Sequence, residues 1–191
     1  MEPVWDVLAY VVLPLWVVSG FLDYHRASHI EQATGARESL IHWLMLAEVA
    51  LPLTLAVFFR INALVLGLML LCLVAHEITG YYDLKLAMAT RRVTPFEHQV
   101  HSALEILPLA AVLLIMTLHW PQTLALFGTG PDRADFSLGP KQTPRWGEII
   151  PPAAAFIGLA LLPYLEELWR GIRAGSRKFQ QVDGQQKVSR T

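Results

Sequence analysis

Apolar positions gather in five runs along the chain, Val7 to Leu22, Trp43 to Phe59, Ile61 to Ala75, Ala103 to Leu118 and Ile149 to Leu165. The second and fourth are each interrupted by one acid, Glu48 and Glu105. A bilayer-spanning helix needs about 20 residues, so each run must borrow polar flanks. The helices predicted in this way run Glu2 to His29, Arg37 to Phe59, Asn62 to Met88, Pro95 to Trp120 and Gly147 to Trp169. The fourth has a well-formed start in Thr94-Pro95-Phe96-Glu97, with Thr as N-cap, Pro in the first turn and Glu placed to close a capping box. Between the last two, Pro121 to Arg145 is rich in Gly, Pro, Asp and Thr and reads as a loop, while Ala174 to Thr191 has no hydrophobic period and reads as disordered or surface-bound.

Composition narrows the class. With 191 residues, 54% of them hydrophobic and 16% charged, the chain has room for one domain and too little polar surface to cover it in water. That excludes an ordinary soluble enzyme. The single cysteine, Cys72, excludes a disulfide framework and any thiolate-based zinc or iron–sulfur site. The first run is no secretion signal, because Glu2 and Asp6 stand where a signal peptide has basic residues and no small-residue cleavage site follows.

The net charge of −1 conceals an asymmetry that belongs to a membrane protein rather than to a nucleic-acid binder. Alternating helices place eleven Lys and Arg residues on one side and four on the other. The rule that cytoplasmic loops are the basic ones then puts the N-terminus outside and the C-terminus in the cytoplasm of an inner membrane. Trp5, Trp120 and Trp146 mark the outer interface in that orientation, and Trp43 and Trp169 the inner one. The expected architecture is an all-α integral membrane protein of five transmembrane helices. Four form an antiparallel bundle with a metal site at its cytoplasmic end and the fifth packs outside it. Residues 1–169 make up the transmembrane domain and 170–191 a basic cytoplasmic tail.

Six of the seven histidines fall in the borrowed flanks, at helix ends that this topology gathers on the cytoplasmic side. They are His25 and His29, His42, His76, and His98 and His101; His119 lies at the opposite face. Ionisable groups at such a depth are costly unless paired or bound to a metal. Spacing adds carboxylates, since residues three, four and seven apart share a helix face. Glu38 is four from His42, Asp83 is seven from His76 with Gly80 leaving a gap between them, and Glu97, His98, His101 and Glu105 occupy one arc of the fourth helix.

Imidazole and carboxylate donors without thiolate suit iron, manganese or zinc. The inventory exceeds what one catalytic zinc needs, namely three protein ligands and an open position, and favours two metal ions in a helix bundle. The expected ligands are His25, His29, Glu38, His42, His76, Asp83, His98, His101 and Glu105. Glu77, beside His76, and Glu97 are the expected catalytic carboxylates, with Glu97 equally readable as the cap of its helix. Asp23 reads as a partner of Arg26 or as a group that orients a ligand, and Glu48 lies off the His42 face.

The stretch Asp23-Tyr24-His25-Arg26-Ala27-Ser28-His29-Ile30-Glu31, with Glu38 and His42, His76-Glu77, and Glu97-His98 with His101, resembles a family of small bacterial inner-membrane proteins with a histidine-rich site. More distantly, His25-xxx-His29 and His98-xx-His101 are similar to the histidine boxes of membrane di-iron fatty-acid desaturases and hydroxylases, although no HxxHH box is present. That resemblance implies two iron ions, an oxidoreductase acting on a lipid-like substrate such as a fatty acyl, quinone or isoprenoid group, and an external electron donor. One alternative is a zinc-dependent membrane hydrolase of a lipid amide or ester. Another is a haem-binding or metal- or proton-transporting membrane protein.

Overall fold

The computed structural model describes residues 2–26, 36–90, 92–141, 150 and 153–173. Within them the chain is helical, with a single isolated bridge between Phe59 and Pro140. Helix α1 spans 2–26, formed by Glu2–Val7, a π-helical turn Leu8–Val12 and Leu13–Arg26. Next come α2, Ala36–Phe58; α3, Ala63–Thr90; α4, Pro95–Leu118; and the short α5, Trp120–Leu126. The last helix, α6, covers 153–173 and contains a π-helical turn at Ile157–Leu161.

Four segments are long and apolar enough to cross a membrane: Pro3–Tyr24, Arg37–Phe58, Ala63–Ala89 and Pro95–Leu118. Much of their apolar surface faces outward. Leu71, Val74, Met88 and Ile106, for example, are all more than half exposed. In water such a surface would drive aggregation, whereas in hydrocarbon it is the solvated face.

The segment expected to be a plain loop after Pro121 instead begins with α5, for which Pro121 supplies the favoured first-turn proline. Residues 127–141 then fold back onto the start of α3. Asn62 caps that helix by accepting from the Val65 amide, and its Nδ2 donates to the Ser137 carbonyl. Gln122 Oε1 accepts from the amides of both Ala63 and Asp135. The bridge of Phe59 and Pro140 completes the attachment, with Arg60 and Lys141 amides donating to Gly139 and Phe58 carbonyls.

Helix α2 packs along α3, α1 along α4, and α3 against α4. Two apolar clusters result. The larger joins Leu55 and Ala56 of α2, Val65, Leu66 and Met69 of α3, and Val112, Ile115 and Met116 of α4. The smaller joins Leu46 to Ala160 and Tyr164 of α6, with Trp16, Trp43 and Phe156 around them; Trp16 stacks on Phe156 at 5.7 Å. The last helix, expected outside the other four, packs against α1 and α2. Its contacts extend from Phe156 to Glu167, and at its far end Tyr24 of α1 donates to Glu166 at 2.8 Å.

Candidate metal centre

Polar residues occupy the part of the bundle that the larger apolar cluster leaves. Asp23 of α1, Glu38 and His42 of α2, Asp83 of α3, His101 of α4 and Glu167 of α6 are all between 0% and 8% exposed. Helical spacing explains the local arrangement, since Glu38 and His42 lie one turn apart on the buried side of α2. In α6, Ala160 within the π-helical turn and Tyr164 and Glu167 beyond it stand at i, i+4 and i+7 and so line one face. Such π-turns frequently lie at functional sites.

The two imidazoles and two aspartates interlock. His42 Nε2 lies 3.5 Å from Asp83 Oδ1 and 3.9 Å from Asp23 Oδ2. His101 Nε2 lies 3.4 Å from Asp23 Oδ1, and its Nδ1 lies 3.7 Å from Asp83 Oδ2. Each aspartate therefore turns one oxygen toward His42 and the other toward His101. These separations exceed ordinary hydrogen bonds. They match the donor-to-donor distances of about 3.0–4.2 Å expected when nitrogen and oxygen ligands lie about 2.0–2.2 Å from a shared ion.

Glu38, His42 and Asp83 form a group whose ligand atoms all lie within 4.8 Å of one another, and this buried cluster could bind a metal ion. His42 is also oriented from behind, because its Nδ1 is 3.0 Å from Glu167 Oε1. A carboxylate accepts and cannot donate, so Nδ1 carries the proton and Nε2 keeps its lone pair toward the aspartates. Nε2 has no hydrogen-bond partner among the described residues. A histidine held by a carboxylate on one nitrogen and free on the other is the usual arrangement of a metal-ligating imidazole. Tyr164 closes the site from α6. Its ring stands edge-on to His42 at 5.4 Å and its hydroxyl donates to Asp23 at 3.3 Å.

A cavity of about 40 Å³ touches His42, Asp83, His101, Asp23, His76 and Tyr164. It has room for a few molecules the size of water, not for an acyl chain.

The expected ligands are thus distributed unevenly. Glu38, His42, Asp83 and His101 come together. His76 lies on the cavity but pairs with Glu48, their nearest atoms being 3.7 Å apart. Glu105 lies beside Gly80, where an added Cβ would meet its Oε1 at 3.4 Å. His98 and Glu77 are exposed. Glu97 closes the capping box with Thr94, each side chain meeting the other residue's backbone amide. His25 stands in the last turn of α1, its side chain outside the described set, and His29 lies outside the described residues. His119 sits at the far end of α4, where burial and then the charge of Lys141 hold its imidazole below the ordinary histidine value.

Sequence reasoning gave Asp23 only a supporting role and left Glu167 and Tyr164 out. Asp23 faces His42 and His101, which helix-face arithmetic within one helix cannot register, while the Arg26 side chain expected beside it lies outside the described set. Glu167 did leave a signal, since an acid following the apolar run Ile149 to Leu165 is costly in hydrocarbon without a task. Comparison of the chain with family models, curated proteins and solved structures yields no match, so its chemistry has to be read from this geometry.

Proposed function

We propose that the chain is a membrane-embedded oxidoreductase with a dinuclear iron centre, acting on a lipid-like substrate. The observation behind this reading is the donor inventory. Asp23, Glu38, Asp83 and Glu167 are buried together with two imidazoles, those of His42 and His101. Six buried donor residues exceed the three protein ligands that one catalytic zinc takes and suffice for two ions in a helix bundle. The donor set fits iron, with oxygen and nitrogen ligands and no thiolate.

Asp23, Glu38, His42, Asp83 and His101 would hold the ions, and Glu167 would keep His42 in the tautomer that presents Nε2 to them. When bound, the ions would supply redox chemistry with dioxygen. The chain supplies the rest. The apolar walls exclude bulk water, Tyr164 fixes Asp23, and the small cavity admits a gas molecule or water while keeping the substrate chain outside, between helices. An external donor would provide electrons, because the sequence offers no electron-transfer motif.

The same reading takes the four apolar segments and α6 as five spans of alternating direction. It puts the N-terminus outside and the basic 170–191 segment in the cytoplasm of an inner membrane. Support comes from the way the site gathers the beginnings of α2 and α4 with the second half of α3.

Elemental analysis of protein purified from its native membrane in mild detergent, with a visible spectrum of the same sample, tests the proposal. Close to two irons per chain and no haem band is the expected result. One zinc and a featureless spectrum would replace oxidation by hydrolysis of a lipid amide or ester. Absence of any metal would overturn the reading altogether.

A further inference from the structure

His76 also lines the cavity, and its pairing differs in kind from those of His42 and His101. Helix α4 runs through Pro108 without ending. Proline has no N–H to offer the carbonyl four residues back, so the Leu104 oxygen loses its helical partner. His76 Nε2 lies 3.4 Å from that oxygen. A carbonyl only accepts, which makes Nε2 the protonated nitrogen and leaves Nδ1 as the other edge of the ring.

Nδ1 faces Glu48 Oε2 at 3.7 Å. Neither atom has a hydrogen-bond partner among the described residues, and His76 is only 3% exposed. The other carboxylate oxygen is held by Thr79, whose hydroxyl donates to Oε1 at 2.9 Å. An imidazole lone pair and a carboxylate oxygen, both acceptors, therefore face each other across a buried gap. That arrangement is unfavourable unless a proton or a cation lies between them. Two donor atoms are fewer than the three protein ligands of a catalytic zinc site, whereas one proton satisfies both.

We propose that His76 and Glu48 hold one exchangeable proton between them and form a proton store for the cavity that His76 shares with Asp83 and His101. The destination of that proton rests on the metal reading above; the store itself does not. When the proton passes to an acceptor in the cavity, a neutral imidazole is left facing a carboxylate, and this repulsion draws the next proton from solvent. The other titratable groups nearby are Cys72 and Glu77 of α3 and Glu105 of α4, together with Asp23, His42, Asp83, His101 and Tyr164 on the shared cavity.

Infrared titration of the full chain in detergent, metal-loaded and metal-stripped, compares wild type with Glu48→Gln and His76→Gln. A pH-dependent carboxyl component of Glu48, read as the difference between wild type and Glu48→Gln, is expected in both wild-type forms and displaced in His76→Gln, with metal content unchanged in both variants. Proton uptake on reducing the loaded protein, followed with an indicator dye, should slow about 10²-fold in Glu48→Gln. Wild-type and Glu48→Gln titrations that superimpose would overturn the store. Loss of metal in Glu48→Gln would make the pair part of the metal centre instead, and unchanged uptake would overturn delivery to the cavity. If the wild type binds no metal, the proposed function fails while the metal-free titration still decides the store.

Discussion

Glu167 Oε1 accepts a hydrogen bond from His42 Nδ1 at 3.0 Å, joining the last helix to the second across 125 residues of sequence. Because both residues are buried, this contact fixes which imidazole nitrogen looks toward Asp23 and Asp83. Carboxylates that orient a ligating histidine typically contribute 10–100-fold in metal affinity. Glu167→Gln keeps the shape and hydrogen-bonding reach but replaces the carboxylate with a neutral amide. It is expected to weaken metal binding by about 10–100-fold while the protein remains folded. Competition against a chelator of known affinity measures this directly, and wild-type affinity in Glu167→Gln would remove Glu167 from the site.

The site as described separates histidines that the sequence treats alike. His42 and His101 face the aspartates, whereas His98 is exposed and His119 lies at the other end of α4. Metal content measured by mass spectrometry should therefore fall to the background level in His42→Ala and Asp83→Asn and stay at the wild-type level in His98→Ala and His119→Ala. A loss in His98→Ala equal to that in His42→Ala would return His98 to the ligand set.

The apolar runs made the helices legible, since a run that must reach about 20 residues predicts its own ends within a few positions. Helix α4 begins at Pro95 as the Thr94 capping signal requires. Helix α6 was harder to read. It extends to residue 173, beyond the Trp169 expected from hydropathy, because Arg170 lies beside Glu166 at 2.7 Å and the helix gains from that one-turn pair. The site was half legible for a similar reason. Spacing correctly put Glu38 and His42 on one face, but Asp23 and Glu167 acquire their meaning only through partners on other helices. Glu97 shows the reverse, since its capping role was written in Thr94 three residues earlier.

Backbone geometry in residues 127–141 gives a stability prediction independent of any metal. Gly128 and Gly130 adopt positive φ, 71° and 85°. A Cβ at Gly128 would enter open space, whereas one at Gly130 would lie 2.9 Å from the Leu124 Cβ. Left-handed backbone costs a non-glycine residue about 1–2 kcal/mol. Gly128→Ala should lose about that much, and Gly130→Ala more, because the Leu124 contact adds to it. Thermal unfolding in detergent, followed by circular dichroism, compares the two, and equal midpoints would argue that Leu124 does not contact this turn.

The same segment supplies a pH dependence. Hydrogen bonds from the Ser137 side chain and backbone, then one from Asn62, with Arg60 nearby, hold the Asp135 carboxyl at about 2, below its ordinary value of 3.8. A depressed carboxylate pKa stabilises the folded arrangement above the unfolded value, and that contribution disappears as pH falls through the folded one. The attachment of 127–141 to α3 is therefore expected to be intact above about pH 4 and to loosen progressively toward pH 2. Hydrogen exchange at the Ser137 amide, which donates to Asp135 Oδ1 at 2.8 Å, reports it. Once corrected for intrinsic rates, protection should fall across that window in the wild type. In Asp135→Asn it should be lower throughout and flat over the same range, because the amide cannot titrate. A wild-type protection that stays constant from pH 4 to pH 2 would show that the Asp135 charge does not hold the segment in place.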